Sequence, residues 1–217
     1  DFTLIGTTEV DFSGDPKNAN ISDAEILYLT GSINKFFKKM IFPKDIRWSY
    51  SGVRPLFGDG NNLTKISRDY FLELDETDAP LLNIYGGKLT TFRKLSENAV
   101  NKISKFFPDI AKPWTEESIL PGGDFEKGDF NAYLSSLRKK HPWMTETLSY
   151  RLARNYGTLS EKIIGHAKNV NDLGVDFGAE LYQSEVDYLR NYEFAVDIED
   201  ILWRRTKLGL VKNFPSL

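Results

Sequence analysis

Hydrophobic side chains near the beginning of the chain predict a strand followed by an amphipathic helix. Residues 2–10 are rich in β-branched and apolar side chains and form the first predicted strand. Ser22 and Glu25 have the spacing of a capping box, which marks the start of the helix. The apolar positions that follow keep helical spacing up to Pro43: Ile26, Leu29, Ile33, Phe36, Phe37 and Met40.

A period of two predicts the next strands. Residues 46–51 alternate between apolar and polar side chains, which is typical of a strand with one buried face. Residues 68–74 and 81–85 also have strand character, and a turn-rich cluster at 75–80 separates them. We expect 46–51 and 68–74 to pair as a hairpin with a long Gly/Asn-rich loop.

The pattern becomes helical after residue 85. A helix is predicted after the Gly-Gly turn, and residues 108–123, with three prolines and a Pro-Gly-Gly breaker, indicate an interdomain connection. The sequence thus predicts an α+β fold, in which residues 1–112 form a β-sheet with packed helices and residues 113–217 a small all-helical domain. The helices predicted in the second domain are about 130–140, 146–156, 160–167, 179–192 and 198–208.

Composition narrows the function classes. The chain has 217 residues and a net charge of -3, so the charge balance gives no sign of a nucleic-acid partner. No apolar run approaches the roughly 18 residues that span a bilayer, although peripheral membrane contact stays open. The absence of cysteine excludes disulfides and thiolate nucleophiles and fits a cytosolic protein.

The strand-turn-helix at residues 81–91 is the strongest candidate for chemistry. Gly86 and Gly87 let a ligand approach the backbone, and unpaired N–H groups at the start of the helix favour an anion or a carbonyl oxygen. Lys88 adds a positive charge. The spacing is not that of a Walker A loop. A plain turn with a threonine cap remains an alternative explanation.

Two arginines complete a candidate phosphate site. Arg54 follows one predicted strand and Arg68 begins its predicted partner, so both guanidinium groups could lie at one end of the sheet. Together with Lys88 they would suit a small phosphate dianion, because guanidinium groups pair bidentately with phosphate oxygens. The alternative is that the arginines are solvated or paired with acidic neighbours: Asp59, Asp69 or Glu73.

The remaining candidates are weaker. His141 and His166 lie near predicted helix ends, and neither is favoured as a catalytic base. Residues 203–207 form a basic patch that could contact an acidic partner or lipid headgroups, but a solvated helix face explains it as well.

Six segments in order along the chain resemble the quinone-linked, FAD-dependent glycerol-3-phosphate dehydrogenases of the D-amino-acid-oxidase-like flavoprotein group. No single segment is decisive, but together they cover nearly the whole chain. They are residues 4–8 (LIGTT), 50–56 (YSGVRPL), 67–70 (SRDY), 86–95 (GGKLTTFRKL), 120–123 (LPGG) and 202–207 (LWRRTK).

The resemblance implies oxidation of sn-glycerol 3-phosphate to dihydroxyacetone phosphate, with a hydride passing to FAD and the electrons to quinone. It implies that Arg54 and Arg68 bind the substrate phosphate. It also implies that Lys88 is catalytic, stabilising negative charge beside flavin and substrate. The backbone of residues 86–90, which comprises Gly86, Gly87, Lys88, Leu89 and Thr90, would face the flavin.

The chain lacks a Gly-x-Gly-x-x-Gly fingerprint for the ADP half of FAD, so we expect a fragment from the C-terminal portion of such an enzyme. The expected partners are its N-terminal FAD domain, glycerol 3-phosphate and quinone, in a homodimeric, cytoplasmic parent associated peripherally with the membrane. The isolated chain is expected to be inactive and free of FAD. Two alternatives are an oxygen-using glycerol-3-phosphate oxidase and a non-catalytic phosphometabolite-binding module.

Overall fold

The computed structural model describes residues 2–54 and 69–211. The chain divides into two units, Asp1–Glu117 and Ser118–Leu217, which are called unit 1 and unit 2 below. The boundary lies within the proline- and glycine-rich segment 108–123.

The first helix of unit 1, α1 (Asp23–Ile33), begins at the predicted capping box. The Glu25 amide donates to Ser22 Oγ at 3.3 Å, and the Ser22 amide donates to Glu25 Oε2 at 2.9 Å. The helix is shorter than the apolar pattern suggested. Its end is fixed by Asn34, whose side chain donates to the Ile41 carbonyl and accepts from the Ile41 amide. This side-chain pairing competes with further helical hydrogen bonds.

The sheet of unit 1 is an antiparallel hairpin of β1 (Phe71–Asp75) and β2 (Leu81–Tyr85). Both strands overlap predicted ones, but the predicted pairing of 46–51 with 68–74 is wrong, because β1 pairs with β2 instead. The segments 2–10 and 46–51 form no strand in the described part of the chain. Strand propensity alone does not suffice, since a strand also needs a partner for its backbone groups.

Helix α2 (Phe92–Ile103) forms as predicted and lies against the hairpin. Its Lys102 ammonium donates to the carbonyl of Leu72 in β1 at 2.6 Å. The side-chain Nδ2 of Asn98 donates to the Tyr70 hydroxyl, also at 2.6 Å. Polar contacts therefore fix much of the packing between α2 and the segment that leads into β1.

Unit 2 is helical, and its first two helices have the predicted bounds. The later helices are shorter than predicted, and α6 begins at Gln183 because Ala179 and Glu180 adopt positive φ angles of 51° and 59°. These conformations interrupt a right-handed helix. The elements are α3 (Phe130–Lys140), α4 (Glu146–Tyr156), α5 (Ser160–Ile164), α6 (Gln183–Tyr192) and a π-helical turn (Asp200–Arg205).

A buried polar network crosses the core of unit 2. Arg151 of α4 donates through Nη1 and Nη2 to the carboxylate of Glu185 in α6, at 2.5 and 2.7 Å. The Tyr156 hydroxyl donates to the same carboxylate at 2.7 Å. Burial, with the Glu185 charge, raises the pKa of the Tyr156 phenol far above its ordinary value. The phenol therefore remains a hydrogen-bond donor at neutral pH.

The Leu-Pro-Gly-Gly segment 120–123 is fastened to the end of α4 by a backbone crossing. Gly157 has a φ of 53°, and a Cβ atom there would lie 1.8 Å from the Gly122 carbonyl oxygen. The amide of Thr158 donates to that oxygen at 3.0 Å, and its hydroxyl donates to the Asp124 carboxylate. This motif of the resemblance is therefore a structural element of unit 2.

The described structure is mostly helical with a small two-stranded sheet. The α+β prediction is confirmed only in this coarse sense, and the larger substrate-side sheet that it included is absent from the described residues.

Candidate functional site

The turn after β2 requires glycine for two reasons. Gly86 and Gly87 have φ angles of 70° and 101°, in the region that L side chains rarely adopt. In addition, a Cβ atom on Gly87 would lie 3.0 Å from Leu95 Cδ1 and 3.4 Å from Tyr70 Cβ. The backbone is thereby packed closely between α2 and the segment before β1.

The residues after the glycines lead into α2 through a single 3₁₀ turn, Leu89–Thr91. The amide and hydroxyl of Thr91 both donate to the Lys88 carbonyl, at 3.0 and 2.9 Å. Thr91 therefore does not cap the helix in the way the alternative explanation required, because its hydroxyl donates and accepts no backbone N–H. Among the described residues, the N–H groups of Leu89 and Thr90 have no hydrogen-bond acceptor.

Lys88 presents an exposed cation at this turn. Its ammonium group makes no hydrogen bond or ion pair with any residue that the structure describes. The neighbouring cations of α2 differ, since Arg93 and Lys94 both pair with Glu97, at 3.0 and 2.5 Å. Of these three basic residues, Lys88 alone keeps its charge available for a ligand.

Arg54 is paired with Glu9, which the sequence did not suggest; of the suggested partners, Asp59 lies outside the described residues. Its Nη1 atom lies 2.6 Å from Oε1 of Glu9, and both side chains are about half exposed. Sequence reasoning missed Glu9, which is 45 residues away and belongs to no local pattern with Arg54. No described contact joins the Arg54 guanidinium to the turn at Lys88.

Arg68 lies outside the described residues, so its predicted role stays a prediction. Tyr70, from the same Ser-Arg-Asp-Tyr motif, lies against Gly87. Its hydroxyl accepts a hydrogen bond from Asn98 of α2 at 2.6 Å. Two motifs that were separate in the sequence, residues 67–70 and 86–95, therefore meet at this point of unit 1.

His141, a weak candidate from the start, is buried in unit 2. Its Nε2 atom lies 3.3 Å from Oε2 of Glu161, which also pairs with Lys140 at 2.9 Å. Burial alone would raise the pKa of the Glu161 carboxyl, but hydrogen bonds from Lys140 and His141 outweigh it and hold this pKa below its ordinary value. The cluster fastens α3 to α5.

The basic patch at 203–207 is largely neutralised within unit 2. Arg204 lies 2.7 Å from the Asp200 carboxylate, and Arg205 Nε donates to the Glu193 carbonyl at 2.9 Å. This favours a solvated helix face over a lipid-binding surface. Within residues 2–54 and 69–211, no helix is both long enough and apolar enough to cross a membrane.

Residues 113–215 match the family described as the C-terminal domain of alpha-glycerophosphate oxidase. This segment belongs to that domain family. It includes nearly all of unit 2, with its helices and the Leu-Pro-Gly-Gly segment.

Similarity to known enzymes extends over the whole chain. The aerobic glycerol-3-phosphate dehydrogenase of Escherichia coli (strain K12) is 46% identical over 216 residues, or 98% of this chain and 43% of that enzyme. The D-erythritol 1-phosphate dehydrogenase of Brucella abortus (strain 2308) is 41% identical, over 95% of this chain and 42% of that enzyme. The glycerol-3-phosphate dehydrogenase of Pseudomonas aeruginosa is 42% identical, over 96% and 41%.

The resemblance to the C-terminal portion of the glycerol-3-phosphate dehydrogenases is thereby confirmed. The chain spans less than half the length of these three relatives.

The turn at residues 86–90 fits the polar edge of a flavin in two respects. The N–H groups of Leu89 and Thr90 have no acceptor in the described structure, so they could donate to carbonyl oxygens. Lys88 could balance negative charge nearby. The Gly-x-Gly-x-x-Gly fingerprint that binds the ADP half of such cofactors does not occur in the chain.

Proposed function

We propose that the chain is the substrate-side portion of an FAD-dependent dehydrogenase that oxidises glycerol 3-phosphate to dihydroxyacetone phosphate and passes the electrons to quinone. The observation that carries the proposal is the turn at residues 86–90, where Lys88, which has no partner among the described residues, adjoins backbone donors at the start of α2. The names of the relatives support the substrate, since two of the three act on glycerol 3-phosphate by name.

In this proposal the phosphate is held by arginine. A guanidinium group offers a planar set of donors that matches phosphate oxygens, and it stays charged at all accessible pH values. Arg54 supplies one such group at the surface of unit 1, and Arg68 is proposed to supply another. Binding the phosphate fixes one end of the substrate and so orients its secondary alcohol.

Lys88 is proposed to act on the reacting end. FAD, when bound, supplies the hydride acceptor. The Lys88 ammonium would stabilise negative charge on the substrate oxygen, and the backbone donors of Leu89 and Thr90 would hold the polar edge of the flavin. The Lys88 ammonium makes no ion pair with any described residue, so no described carboxylate offsets its attraction for an anionic ligand.

The exposed apolar face of unit 1 supports the further proposal that a flavin-binding portion of the same enzyme covers it. Phe71, Ile84 and Tyr85 of the hairpin are all exposed, as are Leu89 and Phe92 at the start of α2. Large apolar side chains that are exposed to this extent are common at interfaces. An isolated chain is accordingly expected to retain no FAD, which the absence of a flavin absorption band in the purified protein would test.

The test of the site uses the full-length enzyme that contains this chain. Arg54→Ala is expected to raise KM for glycerol 3-phosphate strongly, because a phosphate contact is lost in ground and transition state alike. Lys88→Ala is expected to lower kcat more than it raises KM. Lys94→Ala is the matched control, since that ammonium is already paired with Glu97. Unchanged kinetics in the first two variants would sink the assignment.

The polyol chain is a second variable, because one relative is named for D-erythritol 1-phosphate. A phosphate site does not distinguish the two substrates, which share that group. Comparing kcat/KM for glycerol 3-phosphate and erythritol phosphate in the full-length enzyme decides between them. A higher value for the four-carbon substrate would overturn the proposed substrate while leaving the reaction class intact.

The electron acceptor is tested separately, since the matched domain family is described from an oxidase and the relatives are named dehydrogenases. Quinone or dye reduction without hydrogen peroxide is the expected result. Stoichiometric peroxide would identify an oxidase instead. Calorimetry of the isolated chain with glycerol 3-phosphate tests the non-catalytic alternative, for which micromolar binding would be required.

A further inference from the structure

Arg54 lies in a stretch without regular secondary structure, so its backbone gives its side chain little orientation. An arginine side chain carries about 2 kcal/mol of rotamer entropy at 25 °C, which is lost when the group is fixed by a ligand. A contact that fixes the guanidinium beforehand reduces this loss and strengthens phosphate binding. The question is which residue provides such a contact.

Glu9 provides it in the structure. Its Oε1 atom lies 2.6 Å from Nη1 of Arg54, a short charge-assisted hydrogen bond. A guanidinium group has five N–H donors, and this bond uses one of them. The carboxylate can therefore hold the group in one orientation while other donors remain for two phosphate oxygens.

The segment that carries Glu9 is itself anchored to α1. The hydroxyl of the adjacent Thr8 donates to Oε1 of Glu25 at 2.5 Å. The other oxygen of Glu25 accepts from the Ser22 amide at 2.9 Å and from its hydroxyl at 2.8 Å, as part of the capping box. Hydrogen bonds from Thr8 and then Ser22 hold the pKa of the Glu25 carboxyl below its ordinary value. Hydrogen bonds thus run from the α1 cap through Glu25 to Thr8, the residue next to Glu9.

We propose that Glu9 is a positioning residue for substrate binding, acting through Arg54, whose guanidinium it orients toward the substrate phosphate. This inference rests on the proposed function, in which Arg54 binds that phosphate. It assigns to residues 8 and 9 of the Leu-Ile-Gly-Thr-Thr-Glu segment a role that their sequence did not reveal.

An opposing effect must be weighed, because a carboxylate also repels a phosphate dianion. Glu9 is about half exposed, so the high dielectric constant of water weakens this repulsion. The Glu9 carboxylate lies 2.6 Å from Nη1 of Arg54, closer to that group than to a phosphate held by its other donors. We therefore expect a net gain in binding from Glu9.

The experiment measures glycerol 3-phosphate kinetics in the full-length enzyme. Glu9→Ala is expected to raise KM about 3- to 10-fold with kcat changed less than twofold, and Glu9→Gln, which keeps an oxygen acceptor, to raise it less. Asp11→Asn is the matched control. It removes the same charge from an exposed residue two positions away and is expected to leave KM unchanged.

A double-mutant cycle separates positioning from a general structural role. In the Arg54→Ala background, Glu9→Ala is expected to have no further effect on KM, because the proposed effect of Glu9 on phosphate binding requires Arg54. Fully additive effects, or an unchanged or lowered KM in Glu9→Ala alone, would overturn the inference. If Arg54→Ala itself leaves KM unchanged, the phosphate site of the proposed function fails, and this inference fails with it.

Discussion

The two units of the chain differ in the interactions that stabilise them. Unit 2 encloses a continuous apolar core that extends from Leu134 to Leu208 and draws on all four of its α-helices. In the described part of unit 1, only Thr30 and Ala99 are buried. Unit 1 instead relies on hydrogen bonds and ion pairs, such as Glu9 with Arg54 and Lys102 with a strand carbonyl.

The difference follows from the elements that each unit contains. Helices α3 to α6 surround one another, so each can bury an apolar face. In the described part of unit 1, the hairpin has helix α2 beside it and neither strand has a second strand partner. Unit 1, which carries the candidate site, therefore has fewer buried apolar side chains in its described part than unit 2. This is consistent with a site that another part of an enzyme completes.

The largest expected effect comes from separating the units. Residues 118–217 alone are expected to unfold cooperatively on heating, whereas residues 1–117 alone are expected to show no cooperative transition, because they bury too little apolar surface to offset chain entropy. Circular dichroism during thermal unfolding measures both. A sharp transition in residues 1–117 as well would show that the two units do not differ in this respect.

Truncating leucine should reproduce the contrast at single residues. Leu189 is 0% exposed in the core of unit 2, so Leu189→Ala is expected to lower the free energy of unfolding by about 2–5 kcal/mol. Leu89 is 89% exposed in unit 1, and Leu89→Ala is expected to change it by less than about 0.5 kcal/mol. Urea unfolding of the whole chain gives both values, and similar losses would contradict the assigned burial.

Two glycines of unit 2 test how much close backbone packing adds to the cost of substituting a glycine that has a positive φ angle. Gly157 and Gly165 have φ angles of 53° and 57°, but only Gly157 lies against another backbone. Gly165→Ala is expected to destabilise the chain by about 1–3 kcal/mol, because a φ of 57° with a ψ of -122° is a conformation that alanine rarely adopts. Gly157→Ala adds the clash with Gly122 and should cost about 1–3 kcal/mol more. Equal losses of unfolding free energy in the two variants would show that the backbone at Gly122 moves to accommodate the added methyl group at little cost.

The smallest expected effect is a pH dependence specific to unit 2. Above pH about 10, the Tyr156 phenol ionises in the unfolded chain, while in the folded chain its raised pKa keeps it protonated. The unfolded state then binds fewer protons, so the free energy of unfolding falls as pH rises, by about 1.4 kcal/mol per pH unit for one such group. Tyr156→Phe should reduce this slope, as urea unfolding at a series of alkaline pH values would detect. An unchanged slope would mean that the phenol ionises in the folded state.

Sequence patterns predicted the local features well and the long-range ones poorly. The capping box of Ser22 and Glu25 and the bounds of α3 and α4 depend on residues within a few turns of each other, so they could be predicted from the sequence. The strand expected at 46–51 did not form among the described residues, because a strand depends on a partner elsewhere.

The same limit applies to the candidate site. The turn at Gly86 and Gly87 was predictable, since a Gly-Gly pair after a strand indicates positive φ angles. The pairing of Arg54 with Glu9 was not, because nothing local relates two residues 45 positions apart. An exposed charged side chain has many potential partners in the sequence, and which of them lies close enough to pair depends on the folded backbone.

The contact between Gly122 and Gly157 bears on how sequences of this family are compared. A side chain at Gly157 meets the Gly122 backbone, and one at Gly122 meets the Tyr156 carbonyl oxygen, so neither glycine can change first without damage. Natural variation should therefore preserve the Pro-Gly-Gly motif wherever this helical domain exists, whatever the enzyme oxidises. A search with that motif would therefore find proteins that contain this helical domain. It would not distinguish those with a three-carbon substrate from those with a four-carbon substrate.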